Sequence, residues 1–427
     1  MIYEDVYMKQ PLGYKDSVHP DYVCKLSKAL YGLQQAPRAW YSMFSSYLVQ
    51  LGFQSSKAAT SLFIFTQGIH ITLVLIYLDD IVITGSDSSY ITSLINKLSQ
   101  RFVMKDLGPV HYFLGIEVTT LPYGLFLSQA KYASDVLRAG MIDCKVVGSP
   151  ASVKPSIPDC DSFFQDVSLY RPLVGSLQYL TLTRPKISFS VNVACQHMHA
   201  LKLNHFKAVK RILRYIEGSV HQGLHFVPGP LTLTAFADAD WARDPVDRRS
   251  TTGFGVFMGH NLVSWCAKKQ HTVARSSTKA EYRAMAQTAS DLVWLQQLFS
   301  ELHIPSSTPH VLWCDNKSAI ALACNPVYHA RTKHIEIDYH FIREQVLNRQ
   351  IVLYHISSEA QLADIFTKAL SVSRFQLLKS KLMVANLPIR LRGGVKEKEK
   401  DTAAADLNSS STDKEVSTSA GPSGSIL

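Results

Sequence analysis

The chain has no cysteines at metal-binding or redox spacing. Its seven, Cys24, Cys144, Cys160, Cys195, Cys266, Cys314 and Cys324, include no C-x-x-C pair. An odd, scattered set excludes a disulfide framework and a structural zinc site, and it points to a reducing compartment. Long apolar runs are also missing: the longest, near residues 71–78, is far shorter than a membrane span and ends in two aspartates. The opening residues, MIYEDVYMKQ, lack the basic and apolar regions of a signal peptide. These absences predict a soluble, intracellular protein. Acids are the scarcer charge, with 34 Asp and Glu against 44 Lys and Arg, a net charge of +10. From Val395 onward there are four lysines and six acids, so the preceding body is more basic still, at +12. A basic body favours a polyanionic partner, nucleic acid first, although plain solubility charge gives the same figure.

What the chain does have is enough apolar residues, 46% over 427 positions, for two to four domains with real cores. Its organising stretch is residues 71–84, ITLVLIYLDDIVIT, two β-branched runs that meet at Asp79 and Asp80. A tight turn accounts for one aspartate. Two carboxylates side by side suit a hard cation such as Mg²⁺, so turn and metal site both stand on the residues alone. Before this hairpin, Trp40, Phe44, Tyr47, Leu48 and Leu51 recur at helical spacing after Pro37, and residues 59–65 read as a strand. After it come a helix over 89–102 and a hairpin of 112–118 with 124–127. Residues 205–215 place Phe206, Val209 and Leu213 on one helical face and Lys207, Lys210, Arg211 and Arg214 on another. That basic face is either a phosphate track or a solvated surface.

From residue 231 the pattern becomes three strands (231–238, 252–258, 261–267), a helix over 279–302, strands at 311–314 and 351–356, and a last helix fronted by Asp364. Thr278 and Glu281 have the spacing of a capping box. A further amphipathic helix is expected to reach about residue 384, and the tail from Val395 is expected to be disordered.

LYGLQQAPRAWY (30–41), YLDD (77–80), MKDLG (104–108) and YFLGIEV (112–118) resemble, in order, the polymerase motifs of reverse transcriptases from copia-type long-terminal-repeat retrotransposons. The likeness runs to about Lys396. It implies an α+β palm, thumb and connection followed by an α/β ribonuclease H-like domain with a five-stranded mixed sheet. The implied division is 1–128 for a partial reverse transcriptase (fingers remnant and palm), 129–230 for thumb and connection, 231–385 for the ribonuclease H-like domain and 386–427 for the tail. It makes Asp79 a metal ligand with Asp80 beside it, and Tyr31, Gly32 and Tyr77 substrate contacts. Relatives carry a further Asp in a D-V-x-x-A-F-L motif upstream of the residues that open this chain. Glu4 and Asp5 are no substitute, so the expectation is a polymerase site one ligand short and no primer extension.

DADWA, TKAEYRAM, CDNKSAI and QLADIFTKAL resemble the copia-type ribonuclease H and its four acids, here Asp238, Glu281, Asp315 and Asp364. The resemblance makes these catalytic and metal-binding, holding two Mg²⁺ (or Mn²⁺) ions about 3.5–4 Å apart. It leaves Asp240 outside the metal set and gives His355 a part in product release. Lys186 stands where relatives usually carry Asp, and Lys279 where Glu is common. The implied partners are an RNA–DNA hybrid, an RNA template and a DNA primer, with no membrane and no small-molecule cofactor. The alternative from another class is a non-catalytic relic or co-opted nucleic-acid-binding module.

Overall fold

The computed structural model describes residues 5–27, 33, 35–78, 80–140, 145–153, 162–164, 166–305, 308–325 and 336–386. Tyr31, Gly32, Asp79 and the tail expected from 386, apart from Asn386 itself, lie outside the described residues.

β1 (Tyr7–Lys9) and β2 (Val23–Lys25) form an antiparallel ribbon. α1 (Ala36–Gln50) has its proline in the first turn, where a missing N–H costs nothing, and buries Phe44 and Leu48 one turn apart. Gly52, at φ +93°, ends it and turns the chain into β3 (Gln54–Ser55), β4 (Leu62–Gln67), β5 (His70–Tyr77) and β6 (Asp80–Gly85). These four strands form an antiparallel sheet in chain order, with Tyr77 opposite Asp80. α2 (Ser88–Arg101) is capped by Asp87, whose carboxylate accepts the Ser89 N–H at 2.9 Å. α1 and α2 close over the sheet around Phe44, Leu48, Phe63, Val74, Leu94 and Leu98.

The strand expected over 112–118 is divided into β7 (Tyr112–Phe113) and β8 (Ile116–Leu121), because Leu114 at φ +48° and Gly115 at φ +67° reverse the chain. β9 (Gly124–Ser128) follows, then α3 (Ala130–Gly140), α4 (Val167–Leu180), α5 (Ser188–Cys195), α6 (Leu203–Glu217) and β10 (Gln222–Phe226). The basic face of α6 is not uniform. Arg211 donates to Ser149 Oγ (3.1 Å) and Arg214 to the Lys145 carbonyl (2.7 Å), so both tie down the 145–149 segment, while Lys207 and Lys210 are exposed.

β11 (Leu233–Asp240), β12 (Thr251–Met258) and β13 (Asn261–Lys269) form an antiparallel meander. α7 (Ser277–Glu301) crosses it and leads to β14 (His310–Cys314), which lies parallel to β11. α8 (Lys317–Cys324), α9 (Glu336–Leu347) and β15 (Ile351–His355) complete a mixed five-stranded sheet of order β13-β12-β11-β14-β15. This is the ribonuclease H-like arrangement expected from the sequence. The two helices expected here, one fronted by Asp364 and a further one reaching about residue 384, are both present and both shorter than expected. α10 (Asp364–Thr367) stops at Lys368, whose backbone is extended, and α11 (Val372–Ser380) restarts behind the Ser371 cap.

β16 (Val384–Asn386) then returns to pair with β10, which pairs with β9, giving a second five-stranded sheet, β16-β10-β9-β8-β7. The mixed sheet is covered on both faces. α7, α8 and α9 pack on one side around Ala235, Val256, Tyr282 and Leu312. On the other side Phe257 and Leu262 join a core made by α3 to α6, α10 and α11. Among the described residues, no helix is long and apolar enough to cross a membrane.

Candidate metal centre

Small residues set the geometry. Ala235, Ala237 and Ala239 on β11 face Ala280, Ala284 and Ala289 on α7 in one buried cluster, so helix and strand approach closely. This brings the Glu281 carboxylate onto β11, where its Oε2 accepts the Ala239 N–H at 3.1 Å. The capping box expected from Thr278 and Glu281 does not form. α7 begins two residues earlier, capped by Ser276, whose hydroxyl accepts the Lys279 N–H. Glu281 is thereby released from the helix end and turned inward.

Asp238 lies on β11 opposite Gly253, Asp315 directly follows β14, and Asp364 opens α10. β11 and β14 run parallel, and their carboxyl ends are where an open α/β sheet leaves a crevice. Asp238 is 1% exposed, Glu281 6% and Asp364 7%. Thr367 donates its hydroxyl to Asp238 Oδ2. Ser358 donates to Asp315 Oδ2 at 2.8 Å. The buried Gln361 donates to the Ala237 carbonyl (2.9 Å) and accepts the Ala363 N–H (3.1 Å), pinning the loop before Asp364 against β11.

Burial, reinforced by Asp238 and Asp315, pushes Glu281 up to about 9. Burial also dominates at Asp238, where it outweighs the downward pull of Lys368 and leaves the carboxyl at about 6. A carboxyl raised in this way is one that a nearby cation would restore to its charged form. Ligand atoms of Glu281, Cys314 and Asp315 lie within 4.8 Å of one another, the one such group of three among the described residues. Burial and Glu281 raise the Cys314 thiol above its ordinary value, so it stays neutral and is a poor ligand. The carboxylate oxygens fit a hard divalent ion; the sulfur does not.

Two basic residues that the sequence reading passed over reach the acids. Lys368 Nζ is 2.8 Å from Asp364 Oδ1 and 3.4 Å from Asp238 Oδ2, and Arg374 Nη2 is 3.2 Å from Asp364 Oδ2. Burial opposes the charge on Lys368, but Asp238 and Asp364 outweigh it and raise its pKa. Its spacing of four from Asp364 was the available signal, since residues four apart meet on one helix face. Asp240 pairs with Arg243 at 2.7 Å. His355 is exposed at the end of β15, in register with Cys314. Along α7 and the end of β13, a cleft of about 690 Å³ is bounded by Lys268, Lys269, His271 and Arg283, and a smaller one by Arg275, Lys279 and Arg283.

The hairpin carries Tyr77, half exposed, and the exposed Asp80; its other aspartate is outside the described residues.

Residues 1–153 match the family model for reverse transcriptase (RNA-dependent DNA polymerase). The chain is 48% identical over 388 residues to the retrovirus-related Pol polyprotein from transposon RE1 of Arabidopsis thaliana, covering 90% of this chain and 26% of that one. It is 37% identical over 389 residues to the Pol polyprotein from transposon TNT 1-94 of Nicotiana tabacum, covering 88% and 29%. An uncharacterised mitochondrial protein of Arabidopsis thaliana is 52% identical over 223 residues, 52% of this chain and 93% of that one. The chain thus spans about a quarter of the length of the RE1 polyprotein. Among solved structures, the compost-derived LC11 ribonuclease H1 aligns at 16% identity and a TM-score of 0.26, over 32% of this chain and 93% of that one. The fold assignment rests on the strand order and register given above.

Proposed function

Since the chain belongs to the Pol polyproteins of copia-type long-terminal-repeat retrotransposons, in their reverse-transcriptase and ribonuclease H region, we propose that it cleaves the RNA strand of RNA–DNA hybrids at the Asp238, Glu281, Asp315 and Asp364 centre. The observation that carries this is the convergence of four acids from β11, α7, the end of β14 and α10 on one crevice. The ion is Mg²⁺ or Mn²⁺, because the donors are carboxylate oxygens. When bound, it supplies an activated water and offsets the charge that builds up on the phosphate.

The chain's own groups do the rest. Asp238, Glu281 and Asp315 would hold the ion through their carboxylate oxygens, Glu281 in its ionised form. Gln361 and Thr367 fix the positions of Asp364 and Asp238 through the bonds described above. The basic clefts along α7 and the end of β13 take the phosphates of the hybrid, which makes binding salt-dependent. His355, exposed at the end of β15, assists product release. The division proposed is 231–385 for the nuclease and 1–230 for the parts that meet template and primer, including Tyr31, Gly32, Tyr77, Lys207 and Lys210.

The test is cleavage of a labelled hybrid by purified protein in Mg²⁺ or Mn²⁺. Asp315→Asn is expected to lower the rate by about three orders of magnitude, about 4 kcal/mol; a mutant as active as the parent would show that the cleavage comes from elsewhere. A non-catalytic binding module is the second reading, and the engagement of both Asp364 oxygens by cations favours it. Salt-sensitive hybrid binding without cleavage would decide for that reading.

A further inference from the structure

The two sides of the centre are not equivalent. On one, Glu281 and Asp315 come together with no cationic side chain within ion-pair distance of either among the described residues, and the nearest donor to Asp315 is the neutral Ser358 hydroxyl. On the other, Asp364 has a cation on each oxygen, Lys368 at 2.8 Å and Arg374 at 3.2 Å, and the same ammonium reaches Asp238 at 3.4 Å. Neither cation is there by chance of a mobile surface chain. Lys368 leaves the helix at φ −142° and ψ 158°, and its side chain is only 31% exposed. Arg374 is anchored independently, donating to the Ser358 carbonyl at 2.8 Å and to the Glu359 carbonyl.

With Glu281 ionised, as an entering ion requires, the four carboxylates bring four negative charges, and Lys368 with Arg374 offsets two of them. The two that remain match one divalent ion. We propose that Lys368 is a built-in counter-ion that holds the Asp238–Asp364 side of the centre, so that the resting protein takes one divalent ion, between Asp238, Glu281 and Asp315, and a second enters only by displacing the ammonium. This rests on reading the four acids as a divalent-cation centre. Lys368 is then a positioning residue for ion occupancy, and its removal changes the number of ions bound before it changes any rate.

The experiment counts ions on the full chain by calorimetry with Mn²⁺ and with Ca²⁺, for wild type, Lys368→Gln, Lys368→Met and Lys368→Arg. Wild type and Lys368→Arg are expected to bind one ion. Lys368→Gln and Lys368→Met are expected to bind two, the second about tenfold or more tighter than any second ion in wild type. Melting curves in EDTA give an independent reading: the neutral variants should melt below wild type, and saturating Ca²⁺ should erase the gap. Should the neutral variants fold only in Ca²⁺, that same dependence is the expected result in its strongest form. Two ions bound with equal constants by wild type and Lys368→Gln, or one ion by both, would overturn the inference and leave hybrid cleavage standing. No ion bound by wild type would overturn both readings together.

Discussion

Lys186 is 1% exposed, and among the described residues its ammonium meets the Gln222 side-chain oxygen and, at 5.4 Å, the face of Tyr215. Arg184, fully buried, is its neighbour and has no acid within ion-pair distance among the described residues, donating to the Val220 carbonyl and the Thr183 hydroxyl. Burial, then Lys379 and Arg184, hold the Lys186 pKa well below its ordinary 10.5. Because the folded value is the lower one, the folded state binds fewer protons, and wild-type stability rises with pH through the window up to 10.5. Lys186→Asp, which restores the residue usual in the family, should stabilise the protein by about 1–3 kcal/mol at neutral pH. That advantage should shrink as alkaline pH discharges the lysine. Denaturant midpoints at pH 7 and pH 10 test this, and an advantage that does not narrow would show that Lys186 carries no charge penalty. The substitution was legible in the sequence, but its burial was not, since TRPKI reads as an ordinary polar turn. The four acids were legible because strand ends and motif order marked them. The surroundings of Glu281 were misread because Thr278 offered a local partner at capping distance, whereas close packing of α7 on β11 decided the matter.

At the scale of elements, the strands between 231 and 355 were readable to within a few residues, because alternation over five or more positions leaves little freedom. β10 and β16 were not. They are short, and the partner that makes β16 a strand lies more than 150 residues earlier in the chain. The early end of α10 at Thr367 was equally hidden, since ADIFTKAL is good helix sequence throughout. What divides it is packing on β12: a Cβ at Gly253 would come within 2.6 Å of Thr367 Cγ2 and 2.7 Å of Phe366 Cβ, so α10 lies directly on a glycine. Gly253→Ala should therefore push α10 away, cost about 1–3 kcal/mol, and loosen Asp238 through Thr367. Gly255→Ala, whose Cβ would meet ring atoms and methyls at 3.2 Å, should cost less. Thermal melts and hybrid cleavage of the two variants provide the comparison. Equal losses would mean that α10 does not depend on close approach at Gly253.

The three buried clusters are joined in two different ways, and the difference governs how the whole molecule comes apart. The cluster around Phe44, Leu48, Phe63 and Val74 shares none of its buried residues with the others. Its link to the nuclease part includes polar contacts with α7, where Trp294 Nε1 donates to the Ala58 carbonyl at 2.8 Å and Glu301 accepts the Lys57 and Ala58 N–H groups at 3.1 and 3.3 Å. Such exposed bonds contribute only about 1 kcal/mol each. The other two clusters occupy opposite faces of the same mixed sheet, so neither can lose its core without stripping a face from β12. Unfolding should therefore show two calorimetric transitions, the smaller one belonging to residues 36–104 and the larger to the connection and nuclease together. Trp294→Ala combined with Glu301→Ala should leave both midpoints nearly unmoved while raising amide exchange at residues 57–58. Val191→Asp on α5, by contrast, places a charge in the core beneath the sheet and should lower only the larger transition, taking hybrid cleavage with it. A nuclease transition that survives Val191→Asp unchanged would show that residues 231–386 hold their sheet without the connection helices.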